Sequence, residues 1–528
     1  IPDMPATDGI EVEWQFGVND LAAAERALHA CASALRLTLA PSRSRVLLDE
    51  YLDTTDWAFH RASFALRMRD ADGAVEATLK SFGDQSDGPY RRREINEPLD
   101  RAARAALLAS AGPVARRVRA VVGAGELRGL FALRTERRTF DVSSNGTSRP
   151  IAEVALDATE VESADGELLA LSRIELELAD PAALEAVEEF AAALGSVEGF
   201  ERASASKFAI GLAATGRSPG GVPDLGATHV DPDSTLGTVA YAALRRQFAA
   251  FLANEPGTRL GEDIEALHDM RVATRRLRTA VSVFSAALPP ELLAVRPDFG
   301  WVADVLGEVR DLDVQLEWLH GEAAASEGVD EVSLAPLVEL LDGRREEARD
   351  RMLGALDSPR YASLVAVMTG MVRAGETTDV GSTPAVRTMP DLLRRRWRRF
   401  NRVARALEPD SNDDDFHDAR LRAKRIRYAT QYAAGLYGGA ARPFVAAMKR
   451  AQEQLGRRQD AVVALALLER TAAEEPFAAS TLSAMERLAE REQEVVRSVG
   501  ETFPETHRRL RREWRLLRAA AEQAALDR

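Results

Sequence analysis

From about residue 234 onwards the sequence repeats itself. Three blocks, "ALRRQFAAF" (243–251), "HDMRVATRRLRTA" (268–280) and "LGEVRDLDV" (306–314), recur as "LLRRRWRRF" (392–400), "HDARLRAKRIRYA" (417–429) and "LGRRQDAVV" (455–463), all at an offset of 149 residues and without a gap. Constant register across separated blocks requires two copies of one substructure. Apolar residues in both copies recur at helical spacing, so the expected architecture is two similar helical bundles, with halves at about 234–384 and 385–525.

The first 212 residues follow a different period. Runs such as "EVEWQF" (11–16), "FALRMRD" (64–70), "AVEATLKS" (74–81), "RTERRTFDV" (134–142), "IAEVALDATEV" (151–161) and "SRIELELA" (172–179) alternate polar with apolar residues. A period of two means strands, and several short strands separated by turns mean an antiparallel sheet or barrel. Two alanine-rich helical stretches, near 20–36 and 181–195, interrupt them. Residues 213–233, aperiodic and rich in Gly and Pro, read as a linker. The predicted fold class is therefore multidomain α and β: strands over 1–212, then an all-α domain over 234–525. A length of 528 residues, too long for one core, agrees.

The formal net charge is −14, with 24 basic and 35 acidic residues up to position 216 and 45 and 48 after it. An acidic chain is poorly suited to coating nucleic acid, whose binding rests on phosphate neutralisation. A single cysteine, Cys31, cannot close an internal disulfide, and no apolar run reaches the roughly 18 residues of a membrane span. With no charged-then-apolar leader either, the expected setting is cytoplasmic, without a membrane partner.

On the two histidine-led helices the basic residues collect on one face. At about 100° per residue, His268, Arg271, Arg275 and Arg278 share a sector of roughly 80°, and His417, Arg420, Lys424 and Arg427 do the same in the second copy. A solvated surface helix alternates its signs at i,i+4, whereas these faces repel themselves until an anion arrives. Two of them facing each other would make a groove for a linear polyanion, with Arg245 and Arg394 as weaker contributors. Aromatic residues that could stack on bases are scarce, Tyr428 excepted, which favours a polyanion without bases. The arginine-rich segment "LLRRRWRRFNRVAR" (392–405) is the one feature that suggests RNA.

On the strands, charges of both signs share faces: Glu11 and Glu13 with Gln15, Arg67 with Arg69, Lys80, Arg92 with Glu94 and Asn96, Arg134 with Arg138, Glu153 with Asp157, and Glu175 with Glu177. Inside a closed barrel such faces would be ruinous in a dry core and make sense around a metal and a phosphate chain. Carboxylates suit a hard divalent ion such as Mg2+ or Mn2+, and arginine and lysine offset phosphate charge. Val12, Trp14 and Phe16 would then pack outward against helices. No His/Cys cluster suggests zinc, and no glycine-rich phosphate loop is present.

Two resemblances follow from these motifs. Residues 8–212 resemble the CYTH family of triphosphate tunnel metalloenzymes, through Glu11/Glu13, Arg67/Arg69, Lys80, Arg92/Glu94, Arg134/Arg138, Glu153/Asp157, Glu175/Glu177 and the late Lys207 in "ASASKFAIG". That resemblance implies an eight-stranded antiparallel tunnel hydrolysing tripolyphosphate or another triphosphate with a divalent metal. Glu11, Glu13, Glu153, Asp157, Glu175 and Glu177 would stand near the metal, and Arg67, Arg69, Lys80, Arg92, Arg134, Arg138 and Lys207 near substrate. Residues 234–525 resemble the CHAD domain, which implies a two-bundle fold binding inorganic polyphosphate along the faces of His268, Arg271, Arg275, Arg278, His417, Arg420, Lys424 and Arg427. The combination looks most like bacterial inorganic triphosphatases.

One position departs from the pattern. Where the family has lysine in its ExExK strand, this chain has Gln15, which can donate a hydrogen bond but brings no positive charge and transfers no proton. Losing a charge-assisted contact costs about 1.5–3 kcal/mol. The alternative expectation is thus a non-catalytic polyphosphate-binding protein with a degraded tunnel.

Overall fold

The structure, a computed structural model, describes residues 6–83, 88–144, 149–325 and 329–527. It forms two compact units, one of residues 1–221 with 256–263 and the other of 222–255 with 264–528.

The first unit is an antiparallel barrel. Its strands are β1 (Thr7–Val18), β2 (Leu37–Thr54), β3 (Phe64–Ala71), β4 (Ala74–Ser81), β5 (Tyr90–Leu99), β6 (Leu127–Ser144), β7 (Ala152–Glu162) and β8 (Leu168–Leu178). They run in the order β5-β4-β3-β2-β6-β7-β8-β1, and β1 pairs back onto β5 with Glu11 opposite Arg92, so the sheet closes on itself. A three-residue β9 (Phe200–Arg202) adds to β1 beyond the closure.

Along β1 both faces are buried, and they differ in chemistry. Val12, Trp14 and Phe16 point outward, as expected, into an apolar cluster with Leu28 of helix Leu21–Ala34 and with Val187, Phe190 and Leu194 of helix Leu184–Gly195. The first of these helices starts at Asp20, whose carboxylate accepts from the backbone N–H of Ala22 and Ala23 at 2.8 and 3.2 Å. Glu11, Glu13 and Gln15 point inward. β2 was hidden in the sequence because Pro41 and a register shift between Pro41 and Ser44 break its alternation.

In the second unit the two basic helices are Ile264–Val283 and Asp413–Tyr432, whose bounds lie 413 − 264 = 149 residues apart, the offset of the sequence repeat. Helix Leu236–Leu260 corresponds likewise to Ala385–Ala406, and Arg296–Ala325 to Ala441–Glu474. The copies part at the end. The first has two helices, Val329–Leu356 and Pro359–Ala374, broken where Ser358 caps a new start at Pro359; the second has one helix, Ala479–Leu526. One apolar core runs through both halves, and a second cluster of leucines joins the far ends of the long helices.

Composition marks 213–233 as a linker, yet part of it packs on the helices. Leu225 is buried, and the carbonyls of Asp224 and Ala227 accept from Arg373 Nε and Arg245 Nη1, each at 2.9 Å. Among the described residues no helix is long and apolar enough to cross a membrane.

Phe190 is fully buried between the outer face of β1 and the helices. Phe190→Ala is expected to destabilise the barrel unit by about 3–5 kcal/mol, read as a lower urea midpoint for that unit's transition.

Candidate functional site

The barrel encloses a cavity of about 420 Å3. Adjacent strands β7, β8 and β1 line it with Glu153, Glu175, Glu177, Glu11 and Glu13, while β3, β4 and β5 supply Arg67, Arg69, Lys80, Arg92 and Glu94. Arg137 of β6 and Lys207, first residue of helix Lys207–Ala214, complete the charged lining. That helix is seated by Phe208 against Tyr51 and Phe131, and by Gly211, where an added Cβ would meet the Phe131 ring at 2.1 Å.

Ion pairs organise the lining. Lys80 Nζ pairs with Glu11, with Glu13 at 3.4 Å and with Glu94 at 3.1 Å, and Arg92 adds a 2.9 Å pair to Glu13. Across the cavity Arg137 grips Asp157 at 2.6 Å and Glu175 at 2.5 Å, and Lys207 pairs with both. Arg69 holds the buried Asp49 through two bonds of 2.7 and 2.8 Å. Among the described residues no three His, Cys, Asp or Glu side chains gather closely enough to hold an ion as they stand. Instead the Lys80 ammonium lies among Glu11, Glu13 and Glu94.

The carboxyls fall into two classes. Burial opposes ionisation of Asp49 and Glu94, but Arg69 and Arg67 for the first, and Lys80 and Arg67 for the second, outweigh it and hold both down to about 2. Glu175 is held well below the usual range against its burial by Lys207 and Arg137. Glu11 is different: burial, with Glu13, Glu94 and Glu177 nearby, outweighs Lys80 and pushes it up to about 8. Glu177 remains solvent-accessible in the cavity, yet desolvation there, reinforced by Glu94 and Glu13, raises it to about 7.

Gln15 faces this interior with both ends of its amide occupied. Its Nε2 donates to Glu13 Oε1 at 3.0 Å, and its Oε1 accepts from Arg173 Nη1 at 3.0 Å. Arg173 stands on β8, two residues from Glu175, and is almost completely buried; its Nη2 donates to Ala205 O at 2.7 Å.

In the helical unit the basic helices pack together, with Tyr432 Oη donating to Arg276 O at 2.9 Å. Beside them lies a second cavity of about 360 Å3, lined by Arg275, Arg278, Lys424 and Tyr428 and also by Arg296, Arg396, Arg399, Arg422 and Arg425. No carboxylate lines it among the described residues. Burial, then the charges of Arg275, Arg420 and Arg271, push the Lys424 ammonium down to about 6. Arg396 falls to about 10 by burial and three neighbouring arginines. The repeat extends to the contacts: Arg271 pairs with Asp311 at 3.1 Å, and at the equivalent positions Asp460 opposes the lowering of Arg420.

The CYTH domain profile matches residues 9–209, and the CHAD domain profile matches 242–469. The chain carries a CYTH domain followed by a CHAD domain. Similar solved structures include the CHAD domain of the plant Ricinus communis, 28% identical over 53% of this chain and 96% of that one, with a TM-score of 0.45. PptA from Streptomyces chartreusis is 23% identical over 52% and 99% of the two chains, with a TM-score of 0.43. A Hippeastrum protein named as an adenylyl cyclase and described as having a dominant triphosphatase activity is 22% identical over 39% and 96%, with a TM-score of 0.30. No curated protein matches the chain.

The CYTH tunnel gathers Glu11, Glu13, Gln15, Arg67, Arg69, Lys80, Arg92, Glu153, Glu175, Glu177 and Lys207 around its cavity, with Asp157 just behind. Arg134 and Arg138 do not join them. β6 pairs Arg137, not its neighbours, with the inward Asp157, so parity turns Arg134 out to Glu136 and Glu160, and Arg138 out to Glu25 at 2.7 Å. The run "RTERRT" offers basic residues at both parities, which is why sequence spacing selected the wrong pair. Asp49, Arg137 and Arg173 were not anticipated. Arg173 was accessible in principle, since it shares the face of Glu175 and Glu177 at a spacing of two.

In the CHAD domain Arg275, Arg278 and Lys424 line the basic cavity, and Arg271 and Arg420 act on Lys424 from alongside. His268 lies under the field of Arg310, which with burial lowers it, and His417 Nδ1 lies 2.6 Å from Gln459 Oε1, at the equivalent place. Arg427 lies over the Tyr428 ring at 5.0 Å. Arg245 is bound to the carbonyls of Val372 and Ala227, and Arg394 belongs to another cleft.

Lys424 is the groove residue whose shift spans the neutral range. Its unfolded form titrates near 10.5 and its folded form near 6. The folded state therefore binds fewer protons between those values, and the destabilisation grows as pH falls from 10.5 to 6 and then levels off. Lys424→Met is expected to raise the CHAD domain's unfolding midpoint, by more at pH 6 than at pH 9, in thermal scans.

Proposed function

We propose that the CYTH domain hydrolyses a terminal phosphoanhydride bond of inorganic tripolyphosphate or a related triphosphate with Mg2+ or Mn2+, and that the CHAD domain binds inorganic polyphosphate. The observation that carries the first part is one barrel cavity whose lining interleaves carboxylates, Glu11, Glu13, Glu94, Glu153, Glu175 and Glu177, with cations, Arg67, Arg69, Lys80, Arg92, Arg137 and Lys207. A metal–phosphate complex can engage both sets at once, the phosphates taking the cations and the metal the carboxylates. Support for a divalent cation comes from Glu11 and Glu177, whose carboxyls burial, together with neighbouring carboxylates, pushes up to about 8 and about 7. Glu153 and Glu177 would hold the ion, together with Glu11 and Glu13 once Lys80 and Arg92 turn to the phosphates, whereas Asp157 and Glu175 are held by Arg137 and Lys207. When bound, the metal would polarise phosphoryl oxygens and orient water.

This chain's own residues do the rest. Arg67, Arg69, Lys80 and Arg92 bind and orient the phosphates, so that water adds to terminal phosphorus as the bridging P–O bond breaks and diphosphate leaves. The proton that the attacking water loses is taken up by the departing diphosphate. Arg173 hands Gln15 the positive end that the motif lysine would otherwise provide, from the neighbouring strand.

The test is phosphate release from tripolyphosphate with Mn2+ or Mg2+. Glu13→Ala is expected to lower turnover at least about 100-fold and Arg173→Gln by about 10–100-fold. Gln15→Lys sets an ammonium against the Arg173 guanidinium, so alone it should lower turnover, and with Arg173→Gln it should recover part of the loss. Release by Gln15→Lys but none by the wild type would favour the second reading, a binding protein with an inactive tunnel, which the missing motif lysine supports.

Metal binding must displace the protons on Glu11 and Glu177. Mn2+ affinity is therefore expected to rise with pH between about 6.5 and 8, with proton release in calorimetry that Glu177→Gln reduces.

A further inference from the structure

The arginine-rich segment 392–405 has more basic groups than the CHAD groove uses. Helix Ala385–Ala406 presents Arg396 and Arg399 to the groove cavity, but Arg394 and Arg398 face the other way, toward Arg511, Arg515 and Arg518 of helix Ala479–Leu526. Between these helices lies a separate cleft of about 260 Å3, backed by Trp397 and Trp514 stacked 5.0 Å apart. Arg394 and Arg518 share Glu522 at 3.5 and 3.7 Å, and Arg394 also meets Asp391 at 3.3 Å. Among the described residues no carboxylate pairs with Arg398, Arg511 or Arg515. Burial, reinforced by Arg511 and Arg405, lowers nearby His507 to about 4.

Among the described residues the corresponding positions of the first copy are not basic, Arg245 excepted. Arg245, equivalent to Arg394, is consumed by two backbone carbonyls, and Phe248, Ala249 and Leu252 stand where the second copy has Trp397, Arg398 and Asn401. The basic cleft is thus an addition to the duplicated fold and not a by-product of it. We propose that it is a second phosphate-chain site, separate from the groove between the basic helices. The occupant follows from the lining: guanidinium forks match phosphate oxygens, while Trp397 and Trp514, each only 6% exposed, offer no free ring face for a base.

The proposal rests on polyphosphate binding by the CHAD domain, so the test separates the two. Long-chain inorganic polyphosphate is titrated into the full chain at several salt concentrations. The triple variant Arg398→Ser, Arg511→Ser, Arg515→Ser should bind at least about tenfold more weakly, with a salt slope smaller by about two, as expected for three lost phosphate contacts at about 0.7 each. The corresponding triple lysine variant keeps the charge and should recover most of the slope. A control of equal net charge, Arg344→Ser, Arg351→Ser, Arg497→Ser, at residues already ion-paired elsewhere, should stay near wild type. A cleft triple indistinguishable from this control overturns the second site and leaves groove binding intact. No polyphosphate binding by the wild type overturns the underlying reading. If the cleft triple loses RNA binding at matched salt and not polyphosphate binding, the site is one for nucleic acid and the proposal fails.

Discussion

The ammonium of Lys80 holds the barrel interior in electrostatic balance. A closed sheet forces every second residue inward, and in this sequence many of those residues are charged. Isolated charges in such a space would cost several kcal/mol each. Lys80 pairs with Glu11, Glu13 and Glu94 at once and holds Glu94 ionised against its burial, and Arg137 and Lys207 do the same for Glu175, with Asp157 beside it. The balance is incomplete, because Glu11 and Glu177 keep their protons to near neutrality.

The CHAD domain solves the opposite problem. Its groove collects charge of one sign, and burial, reinforced by neighbouring arginines, pushes Lys424 down to about 6 and Arg396 down to about 10. Folding tolerates this because the apolar faces of the same helices are locked into a core shared by both halves. The tunnel lining carries both signs and the groove lining one, so the two domains present different electrostatic environments.

At Gln15 the motif residue is replaced by an amide that has a cationic partner on the next strand. In the ExExK strand the neutral amide looks like a defect, but across the β1–β8 ladder Arg173 is hydrogen-bonded to it and buried behind it. A lysine restored at position 15 would face that guanidinium. The pair is best regarded as one unit, with Gln15 relaying to Glu13 a polarisation that begins on the neighbouring strand.

The periods of the sequence were sufficient for the barrel-plus-bundles architecture, for the inward face of β1 and for the pairing of the two basic helices, because a period of two, a period of 3.6 and an offset of 149 are all properties of one chain read in order. They were insufficient wherever the outcome depended on which strand lay opposite. Arg137 enters the tunnel and Arg134 and Arg138 leave it because β6 registers against Asp157 of β7, and a one-residue shift would have reversed them. Asp49 belongs to a strand whose alternation Pro41 interrupts, so only its pairing with Arg69 reveals it. Arg394 and Arg245 are equivalent by repeat, yet one lines an open cleft and the other is consumed by backbone carbonyls, because partners distant in sequence determine what a side chain can still bind.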